Sequence, residues 1–341
     1  MLHFDTDYMR GACEEIIQKL VTSNLEQTVG YGLDEYCKRA KELILEACGL
    51  EKGDVHFLVG GTQTNATVID GLLSKHQGVL AADTGHINVH ESGAIEASGH
   101  KVLALPSYNG KVKAEDVETY IKEFYADESF EHMVFPGMLY ISFPTEMGSV
   151  YSLQELKQLY SVCKNADIPL YIDGARMGYG LMAEGNDVTL KDIAENSDVF
   201  YIGGTKVGAL FGEAVVVRNT KYLRYFFPLI KQHGALLAKG WLLGLQFDTL
   251  FTDDLYFKIS DNAILMADKI EKIFIDKGYQ IFMNSPTNQK FIVLENSKMQ
   301  ELKKSVSFSY WQKFDENHTV VRFATSWATT DEQVDELLCL I

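Results

Sequence analysis

The stretch Pro169-Leu170-Tyr171-Ile172-Asp173-Gly174-Ala175-Arg176 and, further on, Val199-Phe200-Tyr201-Ile202-Gly203-Gly204-Thr205-Lys206 decide the fold. Each begins as a short apolar run without polar alternation and ends in a polar or glycine-rich turn. Such runs suit strands buried on both faces, as in a mainly parallel sheet covered by helices. Reading outward, the same pattern recurs at Val55-His56-Phe57-Leu58-Val59, Gly78-Val79-Leu80-Ala81-Ala82, Lys101-Val102-Leu103-Ala104-Leu105, Met138-Leu139-Tyr140-Ile141-Ser142 and Ala214-Val215-Val216-Val217. Helical patterns at Gln63–Leu73 and Ser152–Lys164 lie between them. Alternation of this kind predicts an α/β fold, a three-layer sandwich around a mainly parallel central sheet.

After about Arg218 the pattern changes. Helical stretches at Leu236–Phe251 and Asn262–Lys277 precede two strand candidates, Lys290–Leu294 and Thr319–Ala324, and a final short helix. The expected division is a large domain over residues 1–235 and a small α+β domain over 236–341.

Composition removes several classes of function. Of 341 residues, 46% are hydrophobic and 23% charged, which is globular usage. A formal charge of −16 disfavours nucleic acid as the main partner, while leaving room for a local cationic site. The five cysteines are widely spaced with no C-x-x-C pair, so a cytoplasmic, reducing setting is expected. No signal peptide is visible, and no apolar run reaches the ~20 residues of a membrane span.

In open α/β sheets the site lies at the carboxyl ends of the strands. Gly60-Gly61-Thr62-Gln63 stands between a strand and a helix, where it is either a phosphate cradle or a tight turn with Thr62 as N-cap. No G-x-G-x-x-G or G-x-x-x-x-G-K-[ST] occurs, which disfavours dinucleotide and P-loop sites. Asp173 ends an apolar strand and needs a positive partner, either Arg176 or a protonated cofactor nitrogen. Lys206 is set among small and apolar residues, where lost hydration lowers an amine's pKa and frees it to attack a carbonyl. His86 follows a strand directly and is placed to stack on a planar ligand or move protons. His86 and His90 are four apart, but no acid follows the first histidine and no third ligand is evident, so no metal is expected. Arg322, inside Val320-Val321-Arg322-Phe323-Ala324, wants a carboxylate or phosphate, in an ion pair or as a clamp on substrate.

The order of these features resembles the pyridoxal-phosphate enzymes of the aspartate-aminotransferase fold, and in detail the threonine aldolase / β-eliminating lyase family. The resembling motifs are Gly60-Gly61-Thr62-Gln63-Thr64-Asn65, Asp83-Thr84-Gly85-His86 through Glu91-Ser92-Gly93-Ala94, Pro144-Thr145-Glu146-Met147-Gly148-Ser149-Val150-Tyr151, Asp173-Gly174-Ala175-Arg176, Lys206, and Arg322-Phe323-Ala324-Thr325-Ser326-Trp327. They cover nearly the whole chain. The resemblance implies that Lys206 holds pyridoxal 5'-phosphate as a Schiff base, that Asp173 keeps its ring nitrogen protonated and that His86 stacks over the ring. It implies phosphate contacts from Gly61, Thr62, Gln63 and Thr205, and carboxylate contacts from Arg176 and Arg322. It also implies a homodimer or homotetramer with sites at the subunit interface, where Tyr31 and Lys231 serve a neighbour.

The activity implied is cleavage of L-β-hydroxy-α-amino acids, threonine giving glycine and acetaldehyde. The alternative is β-elimination from an aromatic or sulfur amino acid. Many relatives carry Asn or Gln before the proline where this chain has Phe143, which bears on the reaction type.

Overall fold

Apolar residues on successive positions of each central strand point alternately to opposite faces, and both faces are covered. In the computed structural model, which describes residues 1–341, a seven-stranded sheet runs in the order β2-β8-β7-β6-β5-β3-β4. Counting from β1 (Leu2–His3), these strands are β2 (Asp54–Leu58), β3 (Gln77–Ala82), β4 (Val102–Leu105), β5 (Phe135–Ser142), β6 (Leu170–Asp173), β7 (Val199–Gly203) and β8 (Glu213–Val217). Strands β4, β3, β5, β6 and β7 pair in parallel, whereas β8 is antiparallel to both β7 and β2.

The alternation sets the three layers. Leu170, Ile172, Phe200 and Ile202 face one way and pack with Leu156, Leu159 and Cys163 of the helix Leu153–Asn165. Tyr140, Tyr171 and Tyr201 face the other way, towards Val68 and Ile69 of the helix Gly61–Leu72. Burying strands on both sides removes apolar surface from water twice, so trimming Ile172 to Ala costs about 2–5 kcal/mol of stability.

A second sheet of four antiparallel strands has the order β12-β13-β10-β9, with β9 (Gln280–Ile281), β10 (Gln289–Glu295), β12 (Ser309–Lys313) and β13 (His318–Ala324). Its core joins Ile292, Leu294, Val321 and Phe323 to Met266, Ile270 and Phe274 of the helix Leu255–Asp276. Leu2 and Phe4 belong to the same core, because β1 pairs with β11 (Val306–Ser307). The packing changes hands later than residue 236. Leu245, Phe247 and Leu250 of the helix Trp241–Phe251, and Tyr256 and Ala263 of the next, belong to the core of the large sheet. The N-terminal strand and the second half of the long helix belong to the small one.

Three local readings also change. The helix after β2 is capped by Gly60 rather than Thr62. The short edge strands β9 and β12 and the helices Glu14–Ser23, Glu35–Ala47 and Ala114–Ala126 were not expected from sequence. The helix expected over Leu236–Phe251 begins at Trp241, and a separate helix spans Phe226–Gln232.

Candidate active site

The carboxyl ends of β2, β3, β5, β6 and β7 converge on one narrow pocket. Gly61, Asn65, His86, Ser142, Glu146, Asp173, Arg176, Tyr201 and Lys206 line it. The β6 and β7 ends meet because Gly174 lets them: a Cβ there would fall 2.0 Å from the Tyr201 carbonyl oxygen.

Asp173 is buried, and it does not pair with Arg176. Its Oδ1 accepts from the Ala175 amide at 2.9 Å and the Tyr201 hydroxyl at 2.5 Å, and its Oδ2 from Asn65 at 2.9 Å and the Tyr140 hydroxyl at 2.7 Å. Burial pushes the carboxyl pKa up, but the two phenol donors, His86 and Asn65 outweigh it, and the net shift is downward. Asp173 is therefore an ionised carboxylate inside a dry shell. Its four lone-pair positions are filled, so a further donor has to displace one. Three of the four donors, Asn65, Ala175 and Tyr201, also line the pocket.

The same network fixes His86. Its Nδ1 lies 2.7 Å from Glu91 Oε1, which also accepts from Asn65 at 2.8 Å, and Asn65 in turn accepts from the Tyr171 hydroxyl at 2.9 Å. Sequence adjacency places Glu91 next to His90, pointing elsewhere. It turns back because the helix His86–Val89 ends at once and Ser92 and Gly93 both take positive φ. Burial opposes protonation of His86, but Glu91 and Asp173 overcome it and raise its pKa. Glu146 holds the backbone: its Oε1 accepts the His86 amide at 3.0 Å and the Ser142 hydroxyl at 2.6 Å. Phe143 is fully buried in the large core, and Ser142 and Glu146 present the polar groups at this edge instead.

Lys206 has its pKa lowered, by burial first and then by Arg176, against the pull of Asp7, Asp173 and Glu213. Thr205 is otherwise engaged: its hydroxyl donates to Glu213 at 3.0 Å and accepts from the Gly212 amide at 3.0 Å. The helix Gly61–Leu72 aims its start at the pocket. The Thr64 amide is the first to bond back, to the Gly60 carbonyl, so the amides of Gly61, Thr62 and Gln63 are orphan donors of the first turn. The Gln63 side chain turns away to the His233 carbonyl at 3.1 Å, leaving its Oε1 buried and unpartnered. Thr62 is exposed.

The two arginines differ. Arg176 makes a bidentate pair with buried Asp7, at 2.6 and 3.0 Å, and Asn288 holds the same carboxylate at 2.9 Å. Arg322 has no ion pair. It donates to Gln289 Oε1 at 2.9 Å and to the Asp5 carbonyl at 3.2 Å, and its Nε is buried without a partner. Burial, then Arg176, pull its pKa down to about 10. Arg176 lines the pocket and Arg322 is not among its lining residues, but the two guanidiniums are near enough to repel each other, and an anion beside them would relieve that repulsion. Tyr31 is not brought to this pocket. It lines a mostly apolar cleft of about 250 Å³, with Lys231 Nζ 4.5 Å from its ring centroid.

These residues fit pyridoxal phosphate. A desolvated lysine suits an aldehyde, an ionised buried carboxylate suits a protonated ring nitrogen, and the open amides of a helix start suit a phosphate. A Cβ at Gly60 would meet nothing within 4 Å, so the approach to those amides is clear.

The comparisons agree with this chemistry. The family model described as β-eliminating lyase matches residues 3–295. A threonine aldolase structure from Leishmania major superposes with a TM-score of 0.96 at 38% identity, covering 100% of this chain and 98% of that one. The low specificity L-threonine aldolase of Pseudomonas aeruginosa is 26% identical over 337 residues, 98% of this chain and 95% of that protein. An aspartate aminotransferase double mutant of Thermus thermophilus, at 14% identity and a TM-score of 0.74, covers 100% of this chain and 90% of its own and shares the fold. The chain belongs to the β-eliminating lyase family and is a pyridoxal-phosphate-dependent lyase.

Proposed function

We propose that the chain cleaves L-β-hydroxy-α-amino acids between Cα and Cβ, threonine giving glycine and acetaldehyde. The observation that carries this reading is the closed network His86–Glu91–Asn65–Asp173 facing Lys206. Pyridoxal phosphate, when bound, supplies an electron sink for the pair released at the α-carbon. Lys206 holds it at the aldehyde, Asp173 at the ring nitrogen, and the amides of Gly61, Thr62 and Gln63 at the phosphate. The Thr205 hydroxyl supports the Lys206 loop through Glu213 rather than reaching the phosphate itself.

Arg322, through its free Nε, binds the substrate carboxylate. Arg176, braced by Asp7, stands beside it and keeps that end of the pocket cationic. With Nδ1 committed to Glu91, His86 has only Nε2 left to take the β-hydroxyl proton. The raised basicity of the ring favours that transfer.

The assembly is proposed to be a homodimer or homotetramer in the cytoplasm, its large and small cores forming two domains. Three features support this. Val21, Leu25, Val29, Leu33 and Tyr225 are between 62% and 92% exposed and call for a cover. Tyr31 and Lys231, turned away from their own Lys206, are free to serve a neighbour. All five cysteines are free, and no helix is long and apolar enough to cross a membrane.

Incubating the loaded protein with L-threonine tests the reaction. Equal yields of glycine and acetaldehyde are expected. Pyruvate and ammonia from a tyrosine or cysteine substrate, without glycine from threonine, would assign β-elimination instead.

A further inference from the structure

Sites in parallel sheets are sought at strand carboxyl ends, but an antiparallel strand brings its first residue to that same edge. Strand β8 does this with Glu213, which stands opposite Gly203, the last residue of β7, and Leu58, the last of β2. Glu213 therefore lies under both the Lys206 loop and the turn that leads to Gly60 and Gly61. It is 3% exposed, and its Oε1 accepts from the Thr205 hydroxyl, one residue before Lys206. Its Oε2 is buried and has no partner.

We propose that Glu213 is a positioning residue for Lys206: it pins the lysine loop through Thr205 and exchanges charge with the amine. When the amine is neutral Glu213 is a neutral acid, and when the amine is an ammonium Glu213 is a carboxylate. One proton is shared, and the pair keeps no net charge in either state. This rests on Lys206 being the cofactor lysine.

The surroundings favour such a pair. The groups facing Glu213 are Lys206, Asp173 and the phenols of Tyr171, Tyr201 and Tyr256. Those facing Lys206 are Arg176, Asp7, Asp173, Glu213 and His86. Burial pushes the Glu213 carboxyl up to about 8, with Lys206 and Thr205 opposing and Asp173 adding to the rise. Lys206 is moved the other way, so the two titrations approach each other. Lys206 lines the pocket and Glu213 is buried beneath it, with no ion pair joining them, so the exchange is an equilibrium of charges across a gap rather than a contact.

The test is competitive acetylation of the unloaded full-length chain with acetic anhydride from about pH 6 to 11, read by mass spectrometry of the Lys206 peptide. In the unaltered chain Lys206 labels with a midpoint below the ordinary lysine value and over a broader range than a single proton gives. Glu213→Gln keeps an acceptor for Thr205 but cannot ionise, and it lowers the midpoint by about one pH unit, a tenfold change. An unchanged or raised midpoint overturns the proposal. So does an ordinary one-proton lysine curve in the unaltered chain, a result that holds even if the variant does not fold. The labelling is independent of whether the loaded enzyme acts as an aldolase, so a wrong substrate assignment leaves it untouched.

Discussion

The pocket has two ends built on opposite principles. Around Asp173 the carboxylate itself is fully matched: four donors surround it, and the relay through Asn65 and Glu91 runs on to His86, leaving only Glu91 Oε2 without a partner. At the arginine end, Arg176 is matched by Asp7, while Arg322 retains a buried donor with nothing to bind. The closed end fixes the carboxylate's charge and place before any ligand arrives, and only the one donor that an incoming N–H displaces has to move. The open end stores an unmet donor, which suits the anionic group proposed to bind there.

The largest effect is expected at Lys206, between the two ends. Lys206→Ala abolishes turnover and the visible absorbance of the loaded protein, whatever happens at either end. Asp173→Asn breaks the closed end: it keeps the shape but removes the charge, and kcat/KM falls by about a hundredfold or more, measurable by steady-state kinetics. Arg322→Gln breaks the open end and raises KM by roughly tenfold or more with a smaller change in kcat, since it removes a binding contact rather than ring chemistry. If KM rises more for Asp173→Asn than for Arg322→Gln, the division between the two ends fails.

Asp7 sharpens the comparison through stability. Burial opposes its ionisation, but Arg176 and Lys206 prevail and lower its pKa to about 2, well below the usual carboxylate range. A depressed carboxyl stabilises the fold above its unfolded pKa, and that stability is lost as pH falls from about 4 towards 2. The linked contribution is roughly 2 kcal/mol, so Asp7→Asn flattens this acid limb in a denaturation series. The smallest effect is expected far from both ends. Lys164→Ala leaves kcat unchanged but costs about 1 kcal/mol, because Lys164 Nζ, 2.8 Å from Asp198, neutralises a carboxylate that is 1% exposed. The helix carrying Lys164 was legible in the sequence, but the lysine's buried partner was not.

That contrast holds across the molecule. The central strands were legible because residues packed on two faces leave unbroken apolar runs, as at Leu170–Ile172. Asp173, Lys206, His86 and the Gly60-Gly61 turn were legible because each follows such a run. Glu213 was hidden because β8 runs backwards and brings its first residue, not its last, to the site. Glu91 was hidden because the turn at Ser92 and Gly93, not the register of a helix, aims it. The Asp7–Arg176 pair spans 169 positions and the Asp7–Asn288 bond 281, and no local pattern announces partners that far apart. The arginine assignments failed to separate for the same reason: Arg176 and Arg322 look alike in sequence until Asp7 is seen beside one of them.

The central claim is that Lys206 is the covalent anchor of the cofactor in this pocket. Borohydride reduction of the loaded protein, followed by digestion and peptide mass analysis, tests it directly. The account predicts one reduced adduct, on the peptide containing Lys206, and none on Lys206→Ala. An adduct on another lysine, or none at all on the unaltered chain, would contradict it.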